Sequence, residues 1–234
     1  MNRSLHLLNE GIVACRACPR LVSWREKVAR TKRAAYRDWT YWGRPLPGFG
    51  DPEGSILLLG LAPGAHGGNR TGRVFTGDRS GDFLYAALHR AGLASQPTST
   101  SREDGLRLHR VFITLPVRCT PPDNRPTPAE FARCASFLDR ELPLLPELRV
   151  VVALGALAWR SYLGHASRGG LEVRPLPKFG HGAEAQVGTR TLLGSYHVSQ
   201  QNTQTGRLTS AMFDAILSRA LILASRSGGA GEKR

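Results

Sequence analysis

The sequence predicts a layered α/β fold on three observations: an unbroken apolar run, a capping box that opens a helix, and the alternation of such segments along 234 residues. Ile56, Leu57, Leu58 and Leu59 are apolar without interruption, as expected of a strand covered on both faces in a parallel sheet. Thr127-Pro128-Ala129-Glu130 is a capping box with proline at the first helical position, and Phe131, Cys134, Phe137 and Leu138 follow at helical spacing. Strands are expected at Ile56–Leu61, Val111–Val117, Val150–Leu154 and Thr191–Tyr196. Alternation with helices implies mainly parallel pairing through right-handed crossovers, with ligands bound outside the carboxyl ends of the strands.

At the N-terminus, Cys15-Arg16-Ala17-Cys18-Pro19 precedes a basic helical stretch through about Arg33, and an aromatic, proline-rich loop from Tyr36 to Gly50 leads to the first strand. Beyond that strand, Gly60 and Gly64 let the backbone turn sharply. The loop from Ala62 to Arg79 far exceeds the common connection of roughly 2–6 residues, and loops of that length are usually functional. It matches neither G-x-x-x-x-G-K-[ST] nor G-x-G-x-x-G, which excludes two familiar phosphate-binding turns.

Ser80 is the expected cap of the next helix, with Phe83, Leu84, Ala87, Leu88 and Ala91 on its inner face and Gly92 at its end. The capping-box helix should reach about Leu142, and a final helix should span about Thr209 to Ala224. Phe179 to Val187 shows no firm pattern, and His181 within it reads as a surface histidine. Ser225–Arg234, rich in Ser and Gly, reads as a disordered tail.

Hydrophobic residues make up 41% of the chain, enough for one domain to bury a core. No apolar run approaches the ~20 residues of a membrane helix, and the N-terminus lacks the basic-then-apolar order of a signal peptide. A soluble, cytoplasmic protein is expected. The formal net charge of +14 is spread along the chain and belongs to the folded body, so a polyanionic partner leads. Only four of the 32 basic residues are lysine, so composition alone weighs nucleic acid and genome bias evenly.

Cys15 and Cys18 form a C-x-x-C, while Cys119 follows a strand and Cys134 lies on the next helix. Disulfides are disfavoured in a cytoplasmic, enzyme-sized chain, and a redox C-x-x-C is weakened because Cys15 does not end a βαβ strand. Four thiolates with no spare cysteine suit zinc or an iron–sulfur cluster, which spacing does not separate. Either would staple the N-terminal segment to the exit loop of the second strand, a structural role.

A third constellation, His197-Val198-Ser199-Gln200-Gln201-Asn202-Thr203-Gln204-Thr205-Gly206-Arg207-Leu208-Thr209, follows the last strand. Its amides and hydroxyls can bond bases and phosphates, and Arg207 adds charge near the final helix. Helix capping explains Thr209 and little else.

GLAPGAHGGNRTGRVFTGD and HVSQQNTQTGRLT together closely resemble the two signature motifs of the family 5, or type B, uracil-DNA glycosylases of bacteria and archaea. CRACPRLV, RPLPGFGDPE, VRCTPPDNRPTPAE and VVALG extend the resemblance over almost the whole chain, except the stretch near Phe179 and the tail. The resemblance implies a three-layer α/β/α fold around a four-stranded parallel sheet. It further implies a [4Fe–4S] cluster held by Cys15, Cys18, Cys119 and Cys134, and the expected organisation is one glycosylase domain over residues 1–224, on which a cluster-binding N-terminal segment, residues 1–50, packs. The substrate it implies is double-stranded DNA carrying uracil or other deaminated bases, met by a monomeric, nucleoid-associated repair enzyme that leaves an abasic site.

Cleaving an N-glycosidic bond requires the base to leave the stack and to depart as an anion from a sugar that gains positive charge. Phe75 suits a stacking platform, and the resemblance places Asn124 at the Watson–Crick edge of the flipped base. It places His197 as donor toward the developing oxyanion; Asp78, the nearest carboxylate in the motif, would stabilise the sugar cation or orient water, with capping near Ser80 as its alternative role, and Asn202 would support the base or that water. Gln201, Thr205, Gly206 and Arg207 are the expected DNA contacts.

Other uracil-DNA glycosylases carry a polar, water-activating residue where Leu61 and Ala62 stand here, and no base can act from those positions. Family 1 places a tyrosine that excludes the thymine methyl where Gly64 stands, so a roomier pocket and tolerance of deaminated purines are implied. No lysine lies in the motifs to form a Schiff base, so a monofunctional enzyme is expected. The competing expectation is a non-catalytic nucleic-acid-binding protein holding iron–sulfur or zinc.

Overall fold

The computed structural model describes residues 3–225. In chain order it contains α1 (Arg3–Ala14), α2 (Pro19–Thr31), β1 (Phe49–Gly50), β2 (Ile56–Leu59), α3 (Gly68–Thr71), α4 (Arg79–Arg90), β3 (Val111–Thr114), α5 (Pro128–Glu141), β4 (Val150–Leu154), α6 (Ala156–Arg168), β5 (Glu184–Val187), β6 (Arg190–Ser195), α7 (Gln200–Gln204) and α8 (Ser210–Ser225). One sheet of six strands runs β1-β3-β2-β4-β6-β5. Its centre, β3-β2-β4-β6, is the expected set of four parallel strands, and β1 and β5 add short antiparallel edges.

Every residue of β2, β3 and β4 is buried, which is why these strands read as apolar runs, Thr114 at the end of β3 excepted. Alternation sends Ile56 and Leu58 into a core shared with Leu84 and Leu88 of α4 and Phe213 and Leu217 of α8. Leu57 and Leu59 face the opposite core, built by Leu5 of α1, Leu138 of α5 and Trp159 and Tyr162 of α6. The result is the three-layer α/β/α arrangement. A smaller cluster of Cys18, Leu21, Val117 and Cys119 joins α2 to the loop after β3.

Several boundaries shift. The first, second and last expected strands end earlier, at Leu59, Thr114 and Ser195, because the chain leaves the ladder for the loops that carry the motifs. The cap of α4 is Asp78, two residues before the expected Ser80: its side chain accepts from the Gly81 N–H at 3.0 Å. Phe179 to Val187 contains β5, which hairpins onto β6. Ser225 closes α8, and the rest of the expected tail lies outside the described residues. No helix among the described residues is long and apolar enough to cross a membrane.

From β2 the chain moves to β3 on one side and then crosses back to β4 and β6 on the other. The carboxyl ends of β2 and β4 therefore flank the topological switch point, where sheets of this kind bind ligands.

Candidate active site

The loop after β2 is a compact, internally bonded structure. Thr71 Oγ1 lies 3.2 Å from the Gly67 carbonyl and 3.2 Å from that of Thr76, and Tyr85 OH donates to the Val74 carbonyl at 3.0 Å. Arg73 is buried and forks onto Asp104 at 2.9 and 2.6 Å while donating to Thr76 Oγ1 and Ser99 Oγ. These bonds hold Phe75 at φ +49, left-handed backbone that a bulky side chain rarely adopts. Such strain persists where the surroundings over-determine it, and it clusters at functional sites.

Phe75 packs across Gly60, where an added Cβ would lie 2.8 Å from its Cζ, so the glycine lets the ring lie on the end of β2. The Phe75 and His197 ring centroids are 6.3 Å apart with planes inclined by 41°. His197 follows β6, beside Gly155 at the end of β4. Desolvation pushes its imidazole down to about 4. The ring is therefore neutral near pH 7 and keeps one N–H to donate.

Asp78 divides its two oxygens. Oδ1 caps α4, while Oδ2 is turned toward Gly64 and Gly67, where an added Cβ would approach it to 2.9 and 1.8 Å. Burial raises the Asp78 carboxyl above its ordinary range, opposed by the backbone N–H groups of Gly81 and Ser80 and by Arg70. Gly64 thus serves the close approach of Asp78. Leu61 and Ala62 lead away from the site: the Leu61 carbonyl accepts from Val117 N–H at 3.2 Å, and Ala62 packs on the cluster of Cys18 and Cys119.

The loop after β6 is organised around α7. Ser199 caps it by accepting from the Asn202 N–H, and Asn202 Nδ2 donates to the His197 carbonyl at 2.8 Å, so this side chain orders the backbone that carries His197. Gln201, Thr205, Gly206 and Arg207 are exposed. Thr205 Oγ1 donates to the Gln201 carbonyl at 2.7 Å, and the Arg207 guanidinium lies 4.8 Å from the Tyr196 ring centroid. Tyr196 is stacked in turn on His181, whose Nδ1 accepts from the Tyr196 N–H at 3.1 Å. His181 is half-buried and bonded, a role its irregular segment did not announce. Asn124 is exposed on the loop between β3 and α5, at φ +55.

The four cysteines come from α1's exit, the start of α2, the loop after β3 and α5, and they border one cavity. None of the four is in a disulfide, and burial pushes the Cys119 thiol up to about 12 and Cys134 up to about 11. Among the described residues, no three His, Cys, Asp or Glu side chains close on one point tightly enough to hold a single metal ion.

The buried guanidinium of Arg25 tests what this donor set suits. It is 2% exposed, donates to Cys119 Sγ at 2.9 Å and to the Cys15 carbonyl at 3.1 Å, and its Nε has no partner. No carboxylate forms an ion pair with it among the described residues. A buried cation calls for a nearby negative charge, which metal-held cysteine thiolates would supply. Buried Arg118, by contrast, is paired with Glu141, which also accepts from Thr114 Oγ1 at 2.6 Å.

Residues 47–221 match the family model of the uracil DNA glycosylase superfamily. The chain is 58% identical over 216 residues to the type-5 uracil-DNA glycosylase of Thermus thermophilus, covering 92% of this chain and 96% of that protein. It is 56% identical over 219 residues to the type-5 enzyme of Mycobacterium bovis, covering 93% and 81%. A third relative, the type-5 uracil-DNA glycosylase of Pyrobaculum aerophilum, is 45% identical over 209 residues, covering 89% and 88%. The motifs that shape the two loops, the sheet that carries them and these likenesses agree: the chain belongs to the uracil-DNA glycosylase superfamily, in its type-5 branch.

Proposed function

We propose that this protein is a monofunctional uracil-DNA glycosylase that removes uracil, and other deaminated bases, from double-stranded DNA. The observation that carries the reading is the meeting of an aromatic face and a desolvated imidazole, Phe75 and His197, at the switch-point end of the sheet. The half-buried, partly desolvated carboxylate of Asp78 lies on the same loop as Phe75. A nucleic-acid-binding module without catalysis needs none of the three together, and that alternative is not favoured.

In this reading the flipped base stacks on Phe75, and Asn124 bonds its Watson–Crick edge. As the C1′–N bond breaks, its electron pair moves onto the base, and His197 donates its N–H toward the oxygen that gains the charge. Asn202 acts through the His197 carbonyl, fixing the backbone from which that imidazole projects. Asp78 Oδ2 faces the sugar as it becomes cationic, or holds the water whose oxygen bonds C1′ and whose proton is released. Gln201, Thr205, Gly206 and Arg207 contact the duplex backbone. The enzyme works as a monomer on genomic DNA in the nucleoid, with residues 1–224 as one domain.

Cys15, Cys18, Cys119 and Cys134 would hold a [4Fe–4S] cluster: the uncompensated Arg25 and the four cysteines bordering one cavity support a metal-held set of thiolates, and the family resemblance favours iron–sulfur over zinc. When bound, it supplies a structural cross-link and a centre able to change oxidation state.

Alkali cleavage of duplexes bearing one uracil tests the activity, and Asp78→Asn tests the mechanism. Asparagine keeps the capping oxygen and loses the charge. Its single-turnover rate should fall while its melting temperature stays near that of the wild type. An unchanged rate would leave Asp78 as a cap alone.

A further inference from the structure

Arg70, on α3, is buried, with 4% of its surface exposed, and neither motif reading gives it a role. Its guanidinium lies 3.9 Å from the ring centroid of Tyr36 and 4.2 Å from that of Trp39. Both aromatics belong to the segment before β1, outside the loop that carries Arg70. Nε donates to the His66 carbonyl at 2.7 Å and Nη2 to the Gly77 carbonyl at 2.7 Å.

Those two carbonyls come from opposite ends of the 66–77 stretch and meet on one edge of the guanidinium. His66 adjoins Gly67, and Gly77 adjoins Asp78. One planar fork therefore sets the distance between the glycine wall and the carboxylate that packs on it. Arginine suits the task because its donors are held in a rigid planar fork and its flat faces stack on aromatic rings. Gly77 is shaped for the contact: its φ is +77, and an added Cβ would lie 2.5 Å from Arg70 Nη2. Among the described residues no carboxylate pairs directly with Arg70.

We propose that Arg70, clamped between Tyr36 and Trp39, is a positioning residue that fixes Asp78 against Gly64 and Gly67 for base excision. The proposal rests on the reading of Asp78 as part of the uracil-excising site. The charged groups felt by Asp78 are Asp82, one turn along the same helix, and Arg70, together with the N–H dipoles of Ser80 and Gly81. Asp82 and burial favour the protonated carboxyl, while Arg70 and the N–H groups favour the ionised one.

The test compares wild type with Arg70→Gln, Arg70→Lys and the double variant Tyr36→Leu/Trp39→Leu. It measures single-turnover uracil excision across pH, affinity for an abasic duplex, and the Asp78 carboxyl titration by carbon NMR. Arg70→Gln should lose about 10–100-fold in rate, the scale on which small misplacements act, with abasic-duplex affinity within about twofold of wild type. Its acid limb and its Asp78 titration should both move to higher pH, because a positive charge has gone. Arg70→Lys keeps the charge and loses the fork, so its rate should fall while Asp78 titrates close to wild type. The double variant keeps Arg70 and should lose roughly 2–10-fold, the value of an unstacked guanidinium.

Wild-type rates in both Arg70 variants would overturn the proposal, as would loss of duplex affinity in step with rate, which would make Arg70 a DNA contact. If neither Arg70 variant folds, a double variant with unchanged rate and unchanged Asp78 titration overturns the clamp. A wild-type protein that excised no uracil would instead defeat the functional reading, and the Asp78 titration would still judge the clamp without any activity.

Discussion

A histidine that donates to a departing base can act charged or neutral, and the environment of His197 selects the neutral form. Desolvation lowers it from the ordinary 6.5 to about 4. At pH 7 about one molecule in a thousand then carries an imidazolium, against about one in four for a free imidazole. The folded state binds its proton less readily than the unfolded chain, so stability rises with pH across this window. The contribution is complete above 6.5 and is lost as pH falls through 4, amounting to about 3 kcal/mol at about 1.4 kcal/mol per unit. His197→Asn abolishes the titration. The stability difference between wild type and variant, from urea unfolding at pH 7 and pH 4, should therefore change by about 3 kcal/mol in favour of the variant. In catalysis, the wild-type single-turnover rate should not decline as pH rises through 6.5. His197→Asn should lose about 100–1,000-fold with abasic-duplex affinity nearly intact, because the product lacks the developing charge. Parallel stability profiles, or a wild-type rate that falls with loss of an imidazolium near 6.5, would refute the neutral donor.

Cys119→Ser should lose iron and thermal stability together in anaerobically purified protein, and stoichiometric zinc without labile sulfide in the native protein would refute the cluster. Duplex binding should weaken steeply with salt, given the net charge of +14, and Arg207→Ala should lower the slope of log K against log salt by about 0.9 if Arg207 meets one phosphate. An unchanged slope would remove Arg207 from the contact surface.

The parts of the fold that announce themselves do so through local physics that tertiary structure leaves alone. The Thr127 capping box forms with both of its bonds, at 3.3 and 2.7 Å, because both partners lie within one turn. Helix α6 escapes notice because it begins at Gly155, φ +99, with no side-chain cap. The edge strand β5 has four residues, alternating exposed Glu184 and Gln186 with half-buried Ala185 and buried Val187, too short a run to announce itself without its pairing to β6. In the site, the motifs point to Phe75, Asp78 and His197. Arg70 and Arg25 were hidden for one reason: arginine in a polar or basic stretch reads as solvated, and only the packed structure brings aromatic faces or a cysteine sulfur against it. Asp78 was read as rival roles, cap or catalyst, because a sequence does not distinguish one carboxylate oxygen from the other.

The two roles need not compete. A cap needs one acceptor, and Oδ1 supplies it to Gly81 N–H. Oδ2 remains, held in space that Gly64 and Gly67 leave free of side chains. Substitution by alanine confounds the two roles, since losing the cap alone costs about 1 kcal/mol of stability and can disorder the start of α4. Capping also does something for chemistry: the helix N-terminus and its N–H groups favour the ionised carboxylate, against the burial that opposes it. In the proposed mechanism, with Leu61 and Ala62 unable to act as a base, a carboxylate anchored by one oxygen and free at the other is what this loop offers to a developing sugar cation.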